Sequence, residues 1–149
     1  MGLDMYLHAK RYVSAYSDTQ LRDSILAALG MSANEVADNG IYVSLPAAYW
    51  RKANAIHGWF VANVQEGNDN CREYYVEREQ LEELRDLCKS VLSGEATKDD
   101  LPPVDGFFFG LTDDDEYYKA DLEDTVEQLD KVLSNKSFEG CDFYYDSSW

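Results

Sequence analysis

The chain is poor in the residues that mark most function classes. Three prolines and nine glycines in 149 residues leave little room for a long linker, and no low-complexity segment or internal repeat is visible. The cysteines, Cys71, Cys88 and Cys141, are odd in number and widely spaced, with no Cys-x-x-Cys pair and no Cys/His cluster. That pattern argues against a zinc site and a disulfide framework, so reduced thiols and no metal are expected. No stretch approaches the roughly 18 apolar residues of a membrane span. The opening MGLDMYLHAK lacks a basic region followed by an apolar one, and Tyr6 stands where an N-myristoylation motif needs Ser or Thr. A cytoplasmic protein without membrane contact is expected. A phosphate-cradling glycine loop, a dinucleotide fingerprint and a nucleophile motif are all missing, so no cofactor is expected.

Basic residues are the scarcest feature, and only in one half. Residues 1–65 carry five acids and five bases; residues 66–149 carry 24 acids and 8 bases, which accounts for the whole net charge of -16. The segment 95–130 alone holds 13 acids and 2 bases. Such a field repels nucleic acid and anionic lipid and attracts basic protein surfaces. A protein partner with a basic surface is therefore expected, with no direct binding of nucleic acid. What the chain has in plenty is aromatic side chains, 11 Tyr, 6 Phe and 3 Trp, enough to fill the core of one domain spanning 1–149.

Periodicity organises the chain. Leu3, Met5 and Leu7 alternate with Asp4, Tyr6 and His8, the mark of a strand over 2–9 with one buried face. Ser17-Asp18 offers an N-cap to a helix with Leu21, Ile25, Ala28 and Leu29 inward, closed by Gly30. A short strand is expected at 41–45. Residues 47–65 read as a central helix, with Trp50, Ala53, His57, Phe60 and Val64 on one stripe and Gly58 weakening it by about 1 kcal/mol relative to Ala. A strand at 73–76 leads into a helix over 77–92, with Leu81, Leu84, Cys88 and Val91 inward and Glu79, Glu82, Glu83 and Asp86 outward. An acidic loop follows over 93–105, then a strand at Phe107–Phe109, a helix from Thr112 to about Leu133 and a strand over 142–147. The expected fold is α+β: a mixed, mostly antiparallel sheet of about five short strands with about four helices packed on one face.

Two groups of residues could carry function. Asp113, Asp114, Asp115 and Glu116 open the last helix, where capping explains them well. Glu116, Glu123, Glu127 and Asp130 then recur along one helix face with Asp124 beside them, and only Lys119 and Lys131 offer counter-charge on that helix. A row of carboxylates can stand in for phosphates in a basic groove and release the counterions held there. The second group is Arg51, Asn54 and His57, at i, i+3 and i+6 of the expected helix. An Arg could hold an anion, an Asn orient it and a His move a proton near neutral pH, with His8 as a second acid–base partner. The plainer reading makes His57 a hydrogen-bonded core residue.

The segments MGLDMYL at 1–7, YWRKANAIHGWFV at 49–61, GFFFG at 106–110 with TDDDEYY after it, and FYYDSSW at 143–149 resemble, in that order, a group of small proteins encoded by bacteriophages and prophages. Many members have a Tyr two residues before the Glu-Tyr-Tyr, where this chain has Asp114. The resemblance brings no catalytic residues with it. It implies a small acidic protein made to bind a host protein, since several phage inhibitors of that kind imitate nucleic acid. The leading expectation is a non-enzymatic protein that inhibits or modulates a host nucleic-acid-binding or defence protein through its acidic surface. The alternatives are a small His-dependent hydrolase or nucleotide-binding enzyme at Arg51/Asn54/His57, and a phage structural or assembly factor.

Overall fold

The structure is a computed structural model and describes residues 2–37, 39–105 and 115–149. Four strands and four helices follow one another as β1 (Asp4–Ser14), α1 (Thr19–Ala28), β2 (Gly40–Arg51), α2 (Asn54–Asn63), β3 (Tyr74–Val76), α3 (Arg78–Ser93), α4 (Asp115–Ser134) and β4 (Asp142–Ser148). Single 3-10 turns precede β2 and β4. The strands form one sheet in the order β2-β1-β4-β3, with every neighbouring pair antiparallel. The fold is therefore α+β as expected, with four strands among the described residues in an antiparallel rather than a mixed sheet. The expected strand at Phe107–Phe109 lies outside the described residues.

One face of the sheet makes the core. Leu3, Met5, Leu7 and Ala9 at the start of the chain are fully buried, and Phe143 and Tyr145 of β4 join them from the adjacent strand. Helices α2, α3 and α4 close over this face with Ile56 and Phe60, with Leu81, Leu84 and Cys88, and with Leu122, Leu129 and Val132. The helical stripe at 81/84/88 is the one that the spacing of apolar residues predicts. Gly58 sits inside α2 because a Cβ there would meet Cγ2 of Val104 at 2.3 Å. The close approach of that following segment offsets the helix-weakening glycine.

The expected helix over 47–65 is wrong at its start. Pairing with β1 carries β2 on to Arg51, with Met5 opposite Trp50 and Asp4 opposite Arg51. Register shifts between Leu7 and His8, so that Ala47 is an extra residue bulged out of the ladder next to Pro46. Lys52, at a left-handed φ of 58°, turns the chain, and α2 starts only at Asn54. Trp50 reaches the core from a strand. Its ring lies 5.9 Å from that of Phe60, and its Nε1 donates to Oγ1 of Thr125 at 3.0 Å.

Candidate functional site

The last helix presents the acidic row as the spacing predicts. Leu122, Thr125, Leu129 and Val132 are buried, while Glu123, Asp124 and Glu127 are exposed and Asp130 is half-buried. Asp115 and Glu116 occupy the first turn of α4, where the helix dipole favours negative charge. Asp113 and Asp114 lie outside the described residues. Next to α4 packs α3, whose Glu79, Glu83 and Asp86 are also exposed, so carboxylates of two helices share one side of the molecule.

Tertiary packing partly neutralises this row in a way one helix cannot reveal. Lys98 donates to Oδ1 of Asp115 at 2.9 Å, and that bond holds the Asp115 carboxyl below its usual range. Lys131 does the same for Glu127 at 2.7 Å. From α3, Lys89 at 3.1 Å and Arg85 at 3.6 Å both reach Asp130. Counter-charge is thus more abundant than the α4 sequence alone suggests. In the middle of the row, no Lys or Arg among the described residues bridges Glu123 or Asp124; Asp124 accepts instead from the Gln128 side chain at 2.7 Å. Beside them Asp121 is pushed up to about 6, first by burial and then by the Asp124 charge.

The other candidate group does not assemble. Arg51 ends β2 with its side chain two-thirds exposed and its Nε 3.9 Å from Asp4, so it is not on the helix with Asn54 and His57. Asn54 is the first residue of α2 and is buried. His57 is 1% exposed, so its ring meets protein rather than solvent. Nδ1 of His57 lies 2.8 Å from the Tyr145 hydroxyl, and Nε2 lies 3.1 Å from Oδ2 of Asp69. Phe60 stacks on the Tyr145 ring at 3.9 Å and 5°, filling the space beside it. His8 is on the opposite face of the sheet, its Nε2 2.8 Å from Oδ2 of Asp146. The two histidines are held apart by the sheet itself and cannot act as an acid–base pair.

Sequence reasoning missed the face that His8 lies on. Tyr6, Tyr12, Tyr42, Tyr49, Tyr75 and Tyr144 stand on the side of the sheet turned away from α2, α3 and α4. Cross-strand pairs bring them together: Tyr6 and Tyr49 at 5.4 Å, Tyr12 and Tyr42 at 5.0 Å, Tyr75 and Tyr144 at 5.7 Å between ring centres. The strict alternation of Tyr6, His8, Lys10 and Tyr12 is the signal that could have marked it. His8, Glu73 and Asp146 converge there, with one ligand atom of each within 4.8 Å of the others, the one such group among the described residues. The Lys10 ammonium is 2.5 and 2.6 Å from the two Glu73 oxygens and sits over the Tyr144 ring. Lysine thereby supplies the cation that these carboxylates call for.

A shallow groove runs elsewhere, between the β3–β4 edge and the end of α4, lined by Tyr75, Arg78, Leu133, Phe138 and Cys141. No helix among the described residues is long and apolar enough to cross a membrane. Compared with known protein families, curated proteins and solved structures, the chain matches none.

Proposed function

We propose that this protein is a non-enzymatic interaction protein that binds a basic protein surface through the carboxylates of α3 and α4. The observation that carries the reading is the exposed pair Glu123 and Asp124, unbridged by Lys or Arg among the described residues, in the middle of a row whose two ends are neutralised by Lys98 and by Arg85, Lys89 and Lys131. A partner's lysines and arginines compete least with internal counter-charge at that central position. The likeness to phage-encoded proteins supports a host protein as the partner, and the carboxylate row supports one that ordinarily holds nucleic acid. Binding then inhibits by occupying the groove in place of the phosphate backbone.

The test is affinity capture from bacterial lysate at low and high salt, followed by competition for the captured partner with an oligonucleotide. A salt-sensitive partner that releases the oligonucleotide when this protein binds is expected. Glu123→Lys with Asp124→Lys and Glu127→Lys should abolish capture while leaving the circular dichroism spectrum unchanged. Undiminished binding by that folded triple variant would sink the proposal.

A further inference from the structure

Strand β1 is longer than the sheet behind it. It pairs with β4 over residues 4–10 only; beyond that, residues 11–14 pair solely with residues 40–43 of β2. A two-stranded ribbon is marginal in water by itself. Helix α1 touches β1 and is the one helix that adds nothing to the main core. Val13 and Leu26 are buried in this arm, and neither belongs to the main cluster. The apolar stripe of α1 is left open: Leu29 is 69% and Leu21 42% exposed, Ala28 is exposed and Ile25 half-buried. Of the twelve large hydrophobic side chains that are exposed among the described residues, seven fall between residues 12 and 45, led by Tyr16 and Tyr42. That stretch is under a quarter of the chain, so the concentration marks an interaction surface.

The edge of β2 is open along the same arm. Gln128 of α4 covers it at Tyr49: its Oε1 accepts from the Tyr49 N–H at 2.9 Å, and its Nε2 donates to the Tyr49 carbonyl at 2.7 Å. Pro46 and the bulge at Ala47 guard the next positions. Among the described residues nothing comparable reaches 40–45. The whole segment 40–50, GIYVSLPAAYW, has no charged residue in a chain that is 28% charged.

We propose that this arm is the interface of a homodimer, in which the β2 edge over residues 40–45 pairs antiparallel with the same segment of a second copy and the open side chains of the arm close over the join. Charge distribution selects that occupant. Residues 10–46 carry three bases and four acids, a net of -1, which leaves -15 on the rest of the chain. A basic partner is drawn to the acidic body, and the nearly neutral arm is where two such molecules meet with least repulsion. Antiparallel edge pairing is self-complementary about a two-fold axis and closes, so an uncharged edge covered in this way no longer templates open-ended aggregation.

Sedimentation equilibrium over a concentration series, in low and high salt, reads the proposal directly. A species of twice the 17.0 kDa chain mass is expected, and salt should tighten it by screening the repulsion between bodies. Binding of a basic partner through the acidic face would respond to salt in the opposite sense. Tyr42→Lys and Leu45→Lys, both at exposed positions, should each weaken the dimer by about tenfold or more, whereas Glu123→Lys should leave it intact. Hydrogen exchange on the unaltered protein gives a second reading: amides within 40–45 should gain protection as concentration rises. A monomer at every concentration and both salts, with exchange at 40–45 independent of concentration, overturns the proposal. So does a dimer that survives both lysine substitutions.

Discussion

The hydroxyl of Tyr145 lies 2.8 Å from Nδ1 of His57 in the middle of the core, 88 residues away along the chain. Burial, with the nearby charges of Asp69 and Asp146, pushes the Tyr145 phenol well above its ordinary range, so it stays protonated and can donate. Nε2 of the same ring lies 3.1 Å from Oδ2 of Asp69. Asp69 in turn accepts from the Trp149 indole at 3.0 Å. A polar line thus runs from the centre of the sheet to the last residue, and it fixes His57 as part of the framework.

Removing the phenol hydroxyl should therefore destabilise the fold. Tyr145→Phe keeps the ring stacked on Phe60 and removes the hydroxyl that bonds to Nδ1 of a buried imidazole. The expected loss is about 1–3 kcal/mol, read as a lower urea midpoint at unchanged slope. A midpoint equal to that of the unaltered protein would show that the bond contributes nothing.

Asp121 gives a pH-dependent prediction. Its folded value of about 6 lies above the ordinary 3.8, so the folded state holds this proton more tightly than the unfolded one. Stability from this group is present in acid and is lost as pH rises from about 4 through 6. Asp121→Asn should stabilise the protein at pH 7 by about 1 kcal/mol, discounted because the carboxylate is only half-buried and solvent screens it. Near pH 4 the two proteins should unfold together. A gain of equal size at both pH values would point to a cause other than ionisation.

Gln128→Ala should uncover the edge of β2. The substitution removes two hydrogen bonds to the Tyr49 backbone, with an expected cost of about 1 kcal/mol and faster hydrogen exchange at that amide. Concentration-dependent aggregation should also rise, since an unpaired strand edge recruits other strands. Light scattering after heating compares the two proteins.

The cysteines should separate by reactivity. Cys71 is exposed, whereas Cys88 is buried under α4 and burial pushes its thiol up to about 12. Ellman's reagent at neutral pH should modify Cys71 quickly and Cys88 only at the rate of unfolding. Cys141, half-buried, should fall between them. Fast modification of Cys88 in native buffer would mean that α3 opens far more often than its packing implies.

Much of the fold was legible because burial imposes a local period. Leu3, Met5 and Leu7 at steps of two, and Leu81, Leu84 and Cys88 at steps of three and four, each mark one face of one element. The stretch around Trp50 was not legible in that way. Its apolar spacing fits a helix, but pairing with β1 over the whole of β2 satisfies more backbone groups, and the positive φ at Lys52 then forces the break before Asn54. The acidic row was legible as a row. Its partial neutralisation was not, because Arg85, Lys89 and Lys98 come from residues distant along the chain.

The sequence by itself determined the asymmetry of charge, the α+β class and which residues of α4 carry carboxylates, since composition and period are properties of the chain alone. Only the tertiary structure decided that His8 and His57 face opposite sides of the sheet, that six tyrosines share one open face, and that the stripe of α1 remains uncovered. Each of those depends on which strand lies beside which, and strand order is set by contacts between residues far apart in sequence.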